Sequence, residues 1–80
     1  MPKYPCPCCR CFTLDAVNEY TICPVCFWED DPVQREFPDR SGGANGVCLL
    51  DARENYRRFG ACREDLVGHV RGPFPDELSE

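Results

Sequence analysis

The sequence predicts a small α+β metal-stabilised domain: a zinc-ribbon β-hairpin followed by one main α-helix and a short second helix. Three observations carry that expectation. Cysteines recur as Cys6-Pro7-Cys8-Cys9 and Cys23-Pro24-Val25-Cys26, two Cys-x-x-Cys knuckles with thirteen residues between them. Leu49–Phe59 alone places apolar side chains at sustained helical spacing. At 80 residues the chain buries only a marginal core, and domains of that size add disulfides, a metal or oligomerisation. Residues 1–80 therefore read as a single cysteine-rich domain, with a metal ribbon over 4–28, an acidic and glycine-rich connection over 29–46, a helical part over 47–71 and a tail over 72–80.

Taken in order, Tyr4-Pro5 leads extended backbone into the first knuckle. Phe12-Thr13-Leu14 and Tyr20-Thr21-Ile22 alternate apolar and polar residues, so they are expected to pair as the hairpin, with Asp15–Glu19 as its loop. Each knuckle carries a proline, which fixes φ at a position where no N–H donor is needed. Asp31 before Pro32 can cap a helical turn over Pro32–Glu36. Ser41–Gly46 is a glycine-rich loop. In the main helix Leu49, Ala52, Tyr56 and Phe59 share one face, Asp51, Glu54 and Arg58 the other, Glu54 and Arg58 form an i,i+4 pair, and Gly60 ends the helix. A second helix is expected over Arg63–Val70 with Leu66, Val67 and Val70 inward. Gly72-Pro73-Phe74-Pro75 then breaks structure before an acidic tail, Asp76–Glu80.

The net charge of −5 is spread along the chain, the wrong sign for general attraction to nucleic acid or anionic lipid. Apolar runs are far too short for a membrane span, and no basic and apolar leader stands at the start. A leaderless, cysteine-rich chain is expected in the cytoplasm, where thiols bind metal more often than they pair.

Four thiolates from two knuckles suit a tetrahedral ion, and the expected ligands are Cys6, Cys9, Cys23 and Cys26. Cys8 and Cys11 form an alternative first pair at the same spacing, but Cys6-Pro7 matches Cys23-Pro24 and favours the first register. Zinc is the default metal. Iron is the alternative, because the wording around both knuckles is also rubredoxin-like. Cys48 and Cys62 flank an eleven-residue helix about 16 Å long, too far apart for a disulfide. Cys48 reads as a weak N-cap and Cys62 as a small apolar residue, with a second metal site from Cys8, Cys11, Cys48 and Cys62 as the alternative. His69 reads as a surface residue at a helix end.

Other features admit two readings each. Gly42–Gly46 is either an anion cradle of backbone amides or a tight turn that lets the helix pack on the ribbon, and it lacks the residues of a phosphate-binding fingerprint. Arg53 and Arg57, neighbours on one helix face, call for a negative partner: the Glu29-Asp30-Asp31 run, or an anionic ligand or protein. Trp28 is either core or, exposed beside that run, a recognition anchor. Trp28, Glu29, Asp30, Asp31, Arg53 and Arg57 thus make up the candidate interaction surface. No Ser/His/Asp or Cys/His constellation is visible, so no enzyme is expected.

Longer stretches carry a family resemblance. Tyr4-Pro5-Cys6-Pro7-Cys8-Cys9, Ile22–Gln34, Gly42–Val47, Ala52–Tyr56 and Phe59-Gly60-Ala61 resemble the bacterial cysteine-rich CPCC family. The resemblance implies a small metal-binding protein with no established activity. Two residues depart from its pattern: Arg10 stands where a glycine usually follows the knuckle, and Cys48 where a serine commonly caps the helix. Cys11 is particular to this chain. The functional expectation is a structural-metal module that binds another protein. The alternatives are a rubredoxin-like electron carrier, a nucleic-acid-binding zinc ribbon and a thiol redox sensor using Cys8 and Cys9.

Overall fold

In the computed structural model, which describes residues 3–78, each knuckle forms the tip of its own small hairpin. Strands β1 (Tyr4–Pro5) and β2 (Phe12–Leu14) run antiparallel on either side of the first knuckle, with Tyr4 opposite Leu14, Pro5 opposite Phe12 and a bulge between. Ile22 and Glu29 bridge in the same sense across the second. The hydrogen bonds repeat at matching offsets. Cys6 N donates to Cys11 O at 2.8 Å and Cys23 N to Trp28 O at 2.9 Å; Arg10 N donates to Cys6 O and Phe27 N to Cys23 O, both at 2.8 Å. Arg10 and Phe27 both take the left-handed conformation, at φ 70°. The same local structure is built twice.

The expected α+β order is present, but its strand pairing differs. Tyr20–Ile22 does not pair with Phe12–Leu14, because each strand meets a partner across its own knuckle, where the bonds from Cys6 N to Cys11 O and from Cys23 N to Trp28 O set the register. Asp15–Glu19 is a loop as expected, pinned where Asn18 N donates to Asp30 Oδ2 at 2.7 Å and Tyr20 N to Asp30 O at 3.1 Å.

Helix α1 spans Pro32–Glu36, as the Asp-Pro pair predicts. Asp31 Oδ1 caps it, accepting from Val33 N at 2.8 Å and Gln34 N at 3.3 Å. Asp31 Oδ2 accepts from Ala44 N at 2.9 Å, and these amides, Ala44's first, hold its carboxyl below the ordinary range. The glycine-rich loop therefore wraps the chain's own carboxylate. A Cβ on Gly43 would lie 2.5 Å from that oxygen, so only glycine fits there. Gln34, fully buried, gives its amide to the carbonyls of Arg40, Asn45 and Val47 and accepts from Asn45.

Helix α2 spans Leu49–Phe59, with Leu49 and Ala52 buried, Tyr56 and Phe59 half-buried, and Gly60 closing it at φ 82°. Cys48 is the N-cap: its sulfur accepts from Asp51 N at 3.5 Å, a longer bond than a serine hydroxyl would make. Glu54 pairs with Arg57 one turn on, not with Arg58, whose guanidinium lies over the Phe59 ring at 4.9 Å.

The second helix is a 3-10 helix over Glu64–His69, not an α-helix over Arg63–Val70. Only Leu66 packs against the core; Val67 is exposed and Val70 half-buried. One anchoring side chain gives too narrow an apolar face for a longer amphipathic helix. The region expected to be a tail also folds. Pro75–Glu77 is a 3-10 turn beside β2, closed by Phe74 N donating to Glu77 Oε1 at 2.8 Å. Arg71 holds Glu77 with both terminal nitrogens at 2.8 Å and stacks 3.8 Å from the Phe74 ring. Of the expected acidic tail, Ser79 and Glu80 lie outside the described residues. The core joins Leu14, Val25, Trp28, Leu49 and Ala52 to six cysteines: Cys6, Cys8, Cys11, Cys23, Cys26 and Cys62.

Candidate metal centre

The two knuckle tips meet face to face. The sulfurs of Cys6, Cys9, Cys23 and Cys26 all lie within 4.8 Å of one another, with Cys6 and Cys26 3.5 Å apart and Cys9 and Cys23 3.7 Å apart. A tetrahedral ion held by thiolates at about 2.3 Å has a sulfur–sulfur edge of about 3.8 Å, so this donor set is positioned for one metal ion. Cys6, Cys23 and Cys26 are completely buried, and Cys9 is half-buried.

Several elements converge on the site. Arg53 of α2 donates from Nε to Pro7 O at 2.9 Å and so clamps the helix to the first knuckle. After Gly60 turns the chain, Cys62 N donates to Cys26 O at 2.7 Å, and Arg71 N reaches Pro24 O at 3.3 Å. The helix and the C-terminal stretch thus hold both knuckles.

Electrostatics single out Cys23. With no ion bound the four thiols share protons: hydrogen bonds from Cys26, Cys6 and Cys9, in that order, hold Cys23 below the ordinary range while Cys26 and Cys9 are raised. A bound ion would make all four thiolates. Thr13 Oγ1 lies 2.9 Å from Cys23 Sγ, and Val25 N donates to it at 3.4 Å. Such donors orient a thiolate and spread its charge. Thr13 was missed in the sequence because a polar residue between Phe12 and Leu14 reads as solvent-facing; here it is buried and Phe12 is the exposed neighbour.

The surplus cysteines stay outside this set. Cys8, Cys11, Cys48 and Cys62 are buried, and among the described residues they form no second metal-sized cluster. Burial raises the thiols of Cys11 and Cys62, the latter to about 12. His69 is exposed, its ring 5.5 Å from that of Phe27.

The candidate interaction surface divides. Trp28 and Asp30 have no exposure and Asp31 only 5%, so these three are interior groups rather than a recognition face. Asp30 accepts from Arg35 through both oxygens, at 2.8–3.1 Å. The acidic run therefore faces α1 and the loop, and the expected tie to Arg53 and Arg57 is absent, because each arginine finds a nearer acceptor. Arg57 is exposed against Glu54, and Arg53 is half-buried on Pro7. Glu29 is half-buried at the edge of a cleft of about 150 Å³, whose lining includes Ile22, Phe27, Cys62, Arg63 and Leu66. Asn45 forms one wall: its side-chain amide accepts from Glu29 N at 2.9 Å and donates to Glu29 O at 2.7 Å.

Comparison with known families matches residues 4–77 to the model described as Cysteine-rich CPCC. A search of curated proteins finds no match to the chain.

Proposed function

The chain belongs to the cysteine-rich CPCC family, and we propose that it is a zinc-stabilised module that binds another protein and has no catalytic activity of its own. The observation that carries this reading is the meeting of four sulfurs within 4.8 Å where the two knuckles face each other. A site closed by four thiolates leaves no coordination position for substrate, which is the pattern of a structural metal. Zinc suits that donor set and needs no redox partner; iron in the same sulfurs would give a red, redox-active protein. Eight free thiols fit a reducing compartment, and we place the protein in the cytoplasm. Among the described residues no helix is long and apolar enough to cross a membrane.

With Trp28, Asp30 and Asp31 inside, the contact surface is the cleft beside Glu29. Its apolar lining has room for about five waters' worth of volume, which one aliphatic side chain fills. Among the described residues the Glu29 carboxylate has no ion pair, and the whole chain carries −5, so the matching partner segment sets an aliphatic residue next to a lysine or arginine. Nucleic acid is disfavoured by the same charge.

Two measurements test this. Elemental analysis of protein purified without added metal should give one zinc per chain; iron or no metal overturns the zinc reading. Fluorescence polarisation with short Leu-Lys and Leu-Arg peptides should show binding that Leu66→Asp and Glu29→Gln weaken while metal content stays unchanged. Equal binding of Leu-Glu peptides, or indifference to both substitutions, overturns the proposed contact.

A further inference from the structure

The four sulfurs of the centre are not equivalent. Of the eight cysteines, seven are buried and Cys9 alone is part-exposed. Cys23 Sγ has Thr13 Oγ1 and Val25 N beside it. Among the described residues no N–H or hydroxyl hydrogen-bonds to Cys9 Sγ; its neighbours are the other three sulfurs of the cluster, with that of Cys23 at 3.7 Å. Hydrogen-bond donors damp the nucleophilicity of a thiolate, and burial denies access to reagents. On both counts Cys9 is the reactive edge of an otherwise sealed site.

Resting on the reading of this cluster as a metal centre, we infer that Cys9 is a modification site for soft electrophiles, and that its reaction opens the centre. An alkyl halide reacts by forming a carbon–sulfur bond to Cys9 with loss of halide, which converts a thiolate ligand into a neutral thioether. A hydroperoxide goes further. The Cys9 thiolate attacks the terminal peroxide oxygen, the O–O bond breaks, sulfur gives up two electrons, and the departing oxyanion takes a proton. Cys9 becomes a sulfenic acid.

Cys23 is placed to resolve it, its sulfur 3.7 Å from that of Cys9. Attack by the Cys23 thiolate forms the S–S bond and breaks the S–O bond, and the hydroxide leaves as water on taking a proton. Two thiolates, one hydroperoxide and two protons thus give one disulfide, one water and one alcohol, or a second water from hydrogen peroxide. Two of the four sulfurs that would hold an ion are lost in that step, so a bound metal would be released. Cys6 and Cys26 lie closer together, at 3.5 Å, but neither has any exposure, so neither is attacked first.

The experiment uses the metal-loaded chain. One arm receives less than one equivalent of isotope-coded iodoacetamide and the other hydrogen peroxide, with peptide mapping by mass spectrometry and a chromophoric chelator reporting released metal. Cys9 should take label at least about tenfold faster than any other cysteine, metal should appear one for one with that label, and peroxide should yield a Cys9–Cys23 cross-link. First labelling elsewhere, label without metal release, or a first disulfide within one knuckle overturns the inference. Cys9→His keeps four ligands and should abolish the fast phase; a fast phase that persists overturns it, and where this variant fails to take up metal the wild-type mapping decides alone. Protein that binds no metal sinks the metal reading, whereas bound metal with an inert Cys9 sinks this inference alone.

Discussion

Arg10 and Phe27 show how much one residue's backbone decides here. Each follows the last cysteine of a knuckle, and each sits at φ 70°, where a side chain costs roughly 1–2 kcal/mol. Phe27 has compensation: its ring contacts that of His69 and packs against the core. Arg10 is exposed, and among the described residues its side chain makes no hydrogen bond or ion pair. Arg10→Gly should therefore stabilise the protein by about 0.5–1 kcal/mol after allowing for glycine's own entropy, seen as a later midpoint in a chelator competition. An earlier or unchanged midpoint would show that the left-handed turn is not strained.

Among the elements, helices α1 and α2 were legible in the sequence; the strand pairing and the 3-10 character of the C-terminal stretch were not. Leu49–Phe59 has both a periodic face and a terminating Gly60, and Asp31-Pro32 marks the start of α1, so local chemistry fixes both helices. Strands of two or three residues carry no such signal: Phe12–Leu14 and Tyr20–Ile22 look like partners by alternation, yet the backbone bonds that close each knuckle pair them elsewhere. The four clustered cysteines were legible because their spacing is itself the signal. Thr13 and the burial of Asp30 were not, since both depend on neighbours distant in sequence. Asp30 reads as surface charge until Arg35 and Asn18 are seen around it. Arg35→Met strands that buried carboxylate and should cost about 3 kcal/mol, measured by urea denaturation of the metal-loaded protein. A loss under 1 kcal/mol would mean that water replaces the guanidinium.

The whole molecule has six cysteines in its core, so metal and fold are expected to be lost together. Acid separates this from the carboxylate contacts. Arg71 holds the Glu77 carboxyl down to about 2, against 4.5 for a free group. A depressed pKa contributes stability above about pH 4.5 that disappears as pH falls towards 2. Thiolate ligands compete with protons at higher pH than that. Acid titration should thus show one transition, with metal release and loss of circular dichroism coinciding above pH 4.5, and Glu77→Gln should leave its midpoint unmoved. A fold that outlasts its metal, or a shifted midpoint, would place the stability in the carboxylate contacts instead.

The amide of Asn45 has a consequence for solubility. By accepting from Glu29 N and donating to Glu29 O, it occupies the position a neighbouring strand's peptide group would take. A ribbon this short would otherwise offer that backbone to another molecule, the usual start of edge-to-edge aggregation. One side chain from a distant loop closes the edge, and a thiol-rich chain is kept from polymerising along it.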